Sequence, residues 1–150
     1  MSDLQLVNDR LNALIANLSP SSRKEMARNI AKKLRASQQQ NIKRQQAPDS
    51  TPFKPRKAQP IRSKKGRVKR EMFAKLRTAK YMKVQATSNE AVIEFTGRVQ
   101  RMARVHHYGL RDRPSRERKE VRYEARPLLG VNDQFNACLE NYIYQCLEKG

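Results

Sequence analysis

The stretch that decides the fold lies in the second half of the chain, where RVQRMARVHHYGL occupies residues 98–110 and VRYEARPLLG follows at residues 121–130. In the first segment, the side chains that would face a core recur at the spacing of one helical face, and they are Val99, Met102, Ala103 and His106. Gly109 follows, and glycine is the residue that most readily takes the positive φ that ends a helix. We therefore expect a short helix that stops at Gly109.

The second segment is expected to be extended. Pro127 disfavours the helical conformation for the residue before it, Arg126, and Gly130 ends the run before a new helix starts. An arginine held in this way presents a rigid guanidinium group that suits a bidentate contact with a carboxylate. The sequence leaves open whether this carboxylate lies inside the domain or across a subunit interface.

The pairing of ARVHHYGL with RYEARPLLG resembles the phage virion morphogenesis family, the tail completion proteins of contractile-tailed bacteriophages. In that family a helix ending in I/V-H-x-[FY]-G is followed by a basic loop and a [YP]-x-A-R-P-x-L-G strand that leads into the C-terminal helix. The likeness runs from about Lys69 to the C-terminus and is looser in the N-terminal helices, and Glu124 stands where a proline is frequent in the family. The matching residues are Ala103, Arg104, Val105, His106, Tyr108, Gly109, Arg111, Tyr123, Ala125, Arg126, Pro127, Leu128, Leu129 and Gly130.

The resemblance implies a structural virion protein that completes the phage tail at its head-proximal end and so enables head–tail joining. It implies a homo-oligomeric ring, expected to be hexameric, with other tail or neck proteins as partners and genomic DNA passing through its channel. It implies no cofactor and no membrane partner. A closed ring also satisfies head-to-tail interfaces without growing into a fibre.

The composition is strongly basic and only modestly apolar. The chain has 150 residues, a net charge of +19 and 37% hydrophobic residues, with a mean hydropathy of −0.92. Such a charge favours polyanionic partners, of which nucleic acid, an acidic protein surface and an anionic membrane are the candidates. The N-terminus lacks the pattern of a secretory signal, and no stretch approaches a membrane span, so we expect synthesis in the host cytoplasm.

The N-terminal part is predicted to be helical. A first helix from Asp3 to Leu18 carries a narrow apolar seam, which packs either on its own domain or on a neighbouring subunit. Ser19 then caps a second, basic helix that begins at Pro20 and ends near Gln40, with Met26, Ile30 and Leu34 facing inward. The seam, as a candidate subunit interface, consists of Leu4, Val7, Leu11, Leu14 and Leu18.

A basic, proline-containing arm is predicted over residues 45–68. It shows hardly any apolar periodicity, so we expect residues 47–66 to be disordered in the free subunit. The charges are interpreted as a solvated run, as contacts with a DNA backbone or as a dock for an acidic partner. Those singled out as DNA-facing or partner-facing are Lys54, Arg56, Lys57, Arg62, Lys64, Lys65 and Arg67.

The remaining elements predict an α+β fold in one tail completion domain. A short helix is expected over Lys69–Thr78, an antiparallel hairpin over 81–95 and a third strand over Val121–Tyr123. A C-terminal helix beginning after Asn132 is expected to pack on the small sheet. Within this single domain, residues 1–44 form the helical part, 45–68 the arm and 69–150 the α+β core.

Catalytic chemistry is not predicted. His106 and His107 are adjacent and point about 100° apart on a helix, so they do not share a metal in the usual manner and are interpreted as structural. Cys138 and Cys146 are too far apart on one helix for a disulfide, at about 12 Å, and are expected to be buried thiols. The alternative to a tail protein is a sequence-independent nucleic-acid binding protein of ribosomal or nucleoid type, although no aromatic stacking platform is evident.

Overall fold

The computed structural model describes residues 3–56 and 71–149. It contains helices together with two small antiparallel sheets, so the α+β prediction is confirmed. In chain order the elements are α1 (Asp3–Ala16), α2 (Pro20–Lys43), β1 (Met82–Ala86), β2 (Ala91–Phe95), α3 (Gly97–Tyr108), β3 (Arg111–Asp112), β4 (Val121–Arg122) and α4 (Asp133–Lys149).

The chain forms two compact units. The first consists of Met1–Leu34, Val84–Glu94 and Asp133–Gly150, and the second of Arg35–Lys83 and Phe95–Asn132. The single tail completion domain, with its parts 1–44, 45–68 and 69–150, stays a prediction.

The restart between the two N-terminal helices is confirmed. Ser19 Oγ accepts a hydrogen bond from Ser22 N at 3.1 Å, which satisfies one of the free amide groups at the start of α2. Helix α2 runs on to Lys43, three residues beyond the predicted end at Gln40. The residues after Gln40 stay helical because Asn41 and Ile42 are buried.

In the first unit, the beginning of α2 packs with α4. Lys33 Nζ lies 4.9 Å from the centroid of the Tyr142 ring, a cation–π contact. Phe135 and Ile143 of α4 are buried, as the predicted apolar face requires. Cys138 is exposed and Cys146 is half-buried, so the expectation of a buried thiol was wrong for Cys138.

The predicted hairpin is confirmed as β1 and β2. Its turn is closed by Thr87, whose backbone N–H donates to Glu90 O at 2.9 Å and whose side-chain oxygen accepts from Asn89 N and Glu90 N at 3.2 and 3.0 Å. Burial alternates along both strands, with Met82 and Phe95 fully covered. This alternation is the pattern of a sheet with one face in a core.

The core of the second unit includes part of the predicted arm. Residues 45–56 form no helix or extended strand, in line with the predicted loop, but they are packed into the core, because Ala47 and Phe53 are buried and Gln46 pairs with Pro52 in an isolated antiparallel bridge. The disorder expected for residues 47–66 in the free subunit stays a prediction. The rest of the arm, residues 57–68, lies outside the described residues. The buried apolar cluster comprises Ile42, Ala47, Phe53, Met72, Leu76, Met82, Phe95, Ala103 and Leu128.

The helix predicted over Lys69–Thr78 is replaced, from Met72 onward, by a series of turns. Phe73 has φ 64°, a left-handed conformation that an α-helix does not contain. The side chain of Gln45 compensates for the missing helical bonds, since it accepts from Met72 N at 2.8 Å and donates to Met72 O at 2.9 Å. Met72 and Leu76 are nevertheless buried as expected.

Helix α3 ends as predicted, but its buried face differs. Gly109 takes φ 69° and ψ 50°, and the chain turns back so that Leu110 N donates to Val105 O at 2.9 Å. Val105 is buried because this returning chain covers the last helical turn. Met102, one turn earlier, lies outside that cover and is exposed, so its predicted inward position was wrong.

The third predicted strand pairs with the loop that precedes it. Val121 and Arg122 form β4, which is antiparallel to β3, with Arg111 opposite Arg122 and Asp112 opposite Val121. This hairpin is a second two-stranded sheet, separate from β1 and β2. The predicted basic loop therefore begins as a strand.

Candidate functional site

Arg126 is the buried centre of the ARPLLG segment, with 8% of its surface exposed. Its Nε donates to Lys54 O at 2.9 Å and one terminal nitrogen donates to Pro55 O at 3.2 Å. Its backbone N–H donates to His106 O at 2.8 Å, which ties the segment to α3. Through its side chain and its backbone, Arg126 thus joins its own segment to residues 54 and 55 and to α3.

Among the described residues Arg126 forms no salt bridge, so the internal ion pair was wrong, whereas a carboxylate contact across a subunit interface stays a prediction. The nearest acid in sequence, Glu124, instead forms an exposed ion pair with Lys54 Nζ at 2.9 Å, and this partner holds the pKa of the Glu124 carboxyl below its usual value. Burial, more than any nearby charge, lowers the pKa of Arg126. The extended segment brings the guanidinium group to backbone carbonyls, which sequence spacing could not identify because they lie 71 and 72 residues away.

His107 holds the next part of the segment. Its Nδ1 accepts hydrogen bonds from Leu128 N at 3.0 Å and Leu129 N at 3.4 Å. Since backbone amides only donate, Nδ1 carries no proton, and the neutral ring has its proton on Nε2. Burial lowers the pKa of His107, which favours this neutral form.

His106 has different surroundings from its neighbour. Its ring packs edge-to-face between Phe73 and Tyr123, with centroids 5.1 and 4.7 Å away. Burial is the main cause that lowers its pKa, and the charges of Arg126 and Arg56 lower it further. Within residues 3–56 and 71–149, no group of three or more His, Cys, Asp or Glu side chains is arranged to hold a metal ion.

Gly130, the last residue of the segment, is hydrogen-bonded to a side chain of α2. Gln38, a fully buried residue, donates from Nε2 to Gly130 O at 2.7 Å and accepts at Oε1 from Gly130 N at 2.9 Å. A Cβ atom at Gly130 would come within 2.8 Å of Pro48 Cγ. Sequence reasoning missed Gln38, although it lies four residues before the fully buried Ile42 on the same helical face.

The matched family residues are therefore mostly internal ties of the second unit. Tyr108 is the clearest exception, because 64% of its surface is exposed. Arg104 and Arg111 are also exposed. These three residues lie on α3 and β3.

The other predicted site residues lie elsewhere. In the predicted seam, Leu14 is 44% exposed. Leu18 is half-buried and lies beyond α1, which ends at Ala16, two residues before the predicted end. The side chains of Leu4, Val7 and Leu11 lie outside the described residues. The structure exposes Lys54 and Arg56. The remaining basic candidates lie outside the described residues, namely Lys57, Arg62, Lys64, Lys65 and Arg67.

A surface cleft of about 500 Å³ lies in the second unit, but its lining lacks a catalytic set. Its charged residues are Lys43 and Arg77, and its single hydroxyl group, that of Thr78, donates to Lys75 O at 2.7 Å. These groups provide no nucleophile paired with a base. Across the described ranges, none of the helices is long and apolar enough to span a bilayer.

Comparison with known proteins identifies the family. The model of the phage virion morphogenesis family matches residues 2–148. The chain belongs to this family. It is 41% identical, over 150 residues, to tail completion protein S of Escherichia phage P2, an alignment that covers 99% of this chain and 100% of the relative. No solved structure matches the chain.

Family membership confirms the resemblance drawn from ARVHHYGL and RYEARPLLG, and it makes the chain a phage morphogenesis protein. The structure adds what these two motifs do in the fold. They tie α3 and the segment after β4 to each other through the His106 carbonyl and the His107 ring, and to residues 38, 54 and 55. The exposed residues between the motifs are then left for contacts outside the unit.

Proposed function

We propose that the protein completes the phage tail at its head-proximal end, where it forms a ring that enables head–tail joining. The observation that carries the proposal is the 41% identity to the P2 tail completion protein along the whole length of both chains. Such a protein acts together with other tail or neck proteins and becomes part of the virion after synthesis in the host cytoplasm. Its work is structural and needs no cofactor.

Ring formation is supported by the small cores and the exposed apolar side chains. The fully buried large side chains of the second unit are few, and exposed apolar residues occur on several elements, including Leu14 on α1 and Tyr144 on α4. A closed ring covers such side chains without leaving an open interface. The predicted seam is the subunit contact that we propose, and the exposed Leu14 and the half-buried Leu18 are its testable part.

Genomic DNA passing through the ring is the second partner in this proposal. With a net charge of +19, the inner surface can contact phosphates without reading sequence. The same charge favours the alternative of a general nucleic-acid binding protein. The two functions differ in what the isolated protein recognises: unfinished tails in the first case, and DNA of any sequence in the second.

The experiment uses tails produced by a phage that lacks this protein. Purified protein is added to these tails and then to filled heads, and infectious particles are counted. We expect the full-length protein to restore particle formation and to bind at one end of each tail as a discrete oligomer, seen by electron microscopy. Stoichiometric coating of DNA, with no effect on tails, would contradict the proposal and favour the nucleic-acid alternative.

The interface is tested by the double substitution Leu14→Glu and Leu18→Glu. We expect it to reduce the oligomer mass measured by light scattering, because buried like charges would oppose the contact. Ala13→Glu is the matched control, since Ala13 is exposed on the same helix outside the seam. An unchanged oligomer mass in the double variant would remove α1 from the interface.

A further inference from the structure

The β3–β4 hairpin has two chemically different faces. Tyr123 N donates to Leu110 O at 3.1 Å, which continues the ladder beyond the pairs Asp112–Val121 and Arg111–Arg122. Since side chains alternate between the faces of a strand, Leu110, Asp112, Val121 and Tyr123 share one face. Arg111 and Arg122 lie opposite each other on the other face.

Two side chains of the first face contact helix α3. Asp112 Oδ1 accepts a hydrogen bond from Arg101 at 2.9 Å, and Tyr123 packs edge-to-face on His106 at 4.7 Å. This face therefore positions the hairpin against the helix. Its outer edge stays open to solvent, because Leu110 and Val121 are exposed.

The second face brings together two positive charges that the Glu124 carboxylate offsets only in part, because the pKa of Glu124 is lowered first by Lys54 and to a smaller extent by Arg122. Directly opposed like charges destabilise a sheet, and a two-stranded hairpin this short has little stability of its own. Among the described residues, neither Arg111 nor Arg122 forms a salt bridge, and Glu124, the next residue on the Arg122 side, is engaged by Lys54. An anionic ligand that bridges both guanidinium groups would remove the repulsion.

We propose that this arginine face docks carboxylate side chains on an acidic protein of the virion, an inference that rests on the tail function proposed above. Each guanidinium group can bind a carboxylate through two parallel hydrogen bonds, a geometry that lysine cannot supply. Two neighbouring acids on the partner would satisfy the pair and fix the orientation of the docked protein. Arg111 and Arg122 are the residues that recognise this partner.

The apolar neighbours indicate a protein partner instead of nucleic acid. Leu110 and Val121, the chain neighbours of the two arginines, are exposed on the opposite face of the same short hairpin, and Tyr108 is exposed at the end of α3 that leads into it. Tyrosine and arginine are enriched in protein–protein interfaces, and a protein that covers both the arginine face and the open edge of the hairpin would bury these residues. A phosphate backbone would leave these apolar side chains in water. A protein surface with apolar residues flanked by acids would cover them.

A second copy of this chain does not fit the arginine face. The chain has 33 lysines and arginines against 14 acids, so a second copy offers few carboxylates to which the arginine face could bind. The partner is therefore a different and acidic protein. The ring contact proposed for α1 is separate, because it uses another helix.

The experiment compares two double charge reversals in the full-length protein. In the first, Arg111→Glu and Arg122→Glu invert the arginine face. In the matched control, Lys24→Glu and Arg28→Glu alter two exposed residues of α2, and each variant changes the net charge from +19 to +15. Because two glutamates repel each other much as two arginines do, the first variant keeps the original electrostatic strain within the hairpin.

The readouts are binding to tails that lack the protein and binding to duplex DNA. We expect the hairpin reversal to weaken tail binding by roughly tenfold or more, as expected when charges at a complementary contact are reversed, and the control to remain within about twofold of the original. The two variants should weaken DNA binding equally. A neutral variant, Arg111→Gln with Arg122→Gln, should also lose tail binding while its melting temperature is unchanged or higher, because it relieves the repulsion.

Four results would overturn the inference, and the last of them would also overturn the proposed tail function. Equal loss of tail binding in both charge reversals would show that only total charge matters. A hairpin reversal that loses DNA binding selectively and still binds tails would assign the arginine face to nucleic acid. If the hairpin reversal restores particle formation to the level of the original protein, only this inference is removed. If the original protein itself fails to complete tails, the proposed tail function is removed too.

Discussion

The second unit uses arginine in two opposite ways. Arg126 is buried, and its guanidinium group donates to the carbonyl oxygens of Lys54 and Pro55. Arg111 and Arg122 are exposed and face each other across a short hairpin without a salt bridge among the described residues. All three residues lie within sixteen positions of one another, so residue type and sequence proximity do not decide the role.

The difference separates the scaffold from the interaction surface. The hydrogen-bond acceptors of the Arg126 guanidinium group lie within the second unit, so substitution of Arg126 is expected to reduce the stability of the fold. Arg111 and Arg122 form no salt bridge among the described residues, so their substitution is expected to weaken binding to a partner. Four substitutions test whether this separation holds, and they follow in order of expected effect.

Gly109→Ala tests the turn that brings the two motifs together. Gly109 has φ 69°, and an added Cβ would approach the backbone nitrogen of Ala125 to 2.7 Å. We expect the free energy of unfolding to fall by about 3 kcal/mol, because a left-handed conformation and a backbone clash combine. Urea denaturation followed by circular dichroism measures this loss.

Gly97→Ala is the control for the turn, since nothing lies within 4 Å of a Cβ at Gly97. It should change the stability by no more than about 0.5 kcal/mol. Equal effects at the two glycines would mean that close packing between α3 and the second motif is not important for folding.

Arg126→Gln compares the buried arginine directly with the exposed pair. The substitution leaves the Lys54 and Pro55 carbonyls without their donors, so we expect a loss of about 2–3 kcal/mol in the free energy of unfolding. Arg111→Gln should leave the stability unchanged or slightly higher, because it removes a like-charge contact. If the two variants lose similar free energies of unfolding in the same urea titration, the buried and the exposed arginines contribute alike to stability and the proposed separation does not hold.

Gln38→Leu tests the tie between α2 and the end of the second motif. Leucine is apolar and of similar size. At the fully buried position 38, however, it cannot accept a hydrogen bond from the Gly130 N–H or donate one to the Gly130 C=O. We expect a loss of about 1.5–2 kcal/mol. Gln40→Leu, at an exposed position of the same helix, should be nearly neutral, and thermal unfolding of both variants would show it.

His106→Phe tests the pH dependence of the scaffold and has the smallest expected effect. Burial lowers the pKa of His106 from its usual 6.5, so the unfolded state binds more protons as the pH falls below about 6.5. The histidine therefore favours unfolding in acid, by at most about 1.4 kcal/mol per pH unit. His107 contributes in the same direction, since burial also lowers its pKa.

Phenylalanine keeps the aromatic contacts with Phe73 and Tyr123 but cannot be protonated. Near neutral pH its effect should be small, because the buried Nδ1 of His106 has no hydrogen-bond partner to lose. The variant should lose less stability than the original protein between pH 7 and pH 5, in urea titrations at each pH. Parallel stability curves for the two proteins would show that His106 is not the titrating group.

Local features of the fold followed from the sequence. Alternation identified the β1–β2 hairpin, Ser19 and Pro20 identified the restart before α2, and Gly109 identified the end of α3. Each of these depends on neighbours along the chain, such as a capping hydroxyl group or a positive φ. The family motifs were also readable, because their spacing is a property of the sequence alone.

The differences from the prediction concern segments whose structure is imposed from a distance. Residues 45–56 look like a loop because they contain few apolar side chains, yet Ala47 and Phe53 are buried. The region around Met72 looks helical, yet the Gln45 side chain satisfies its backbone and Phe73 takes a left-handed φ. Propensity could not reveal either arrangement, since the deciding contacts join residues far apart in sequence.

The sequence by itself determined α1 to α4, the first hairpin and the family, because periodicity, capping and motif spacing are encoded within short segments. Only the tertiary structure decided which arginine is buried and which pair is exposed. Arg126 reaches carbonyls of a segment 71 and 72 residues away, whereas Arg111 and Arg122 oppose each other through the register of a two-residue ladder. The role of a charged side chain depends on its solvation and on its partners in space, and neither quantity is written in the local sequence.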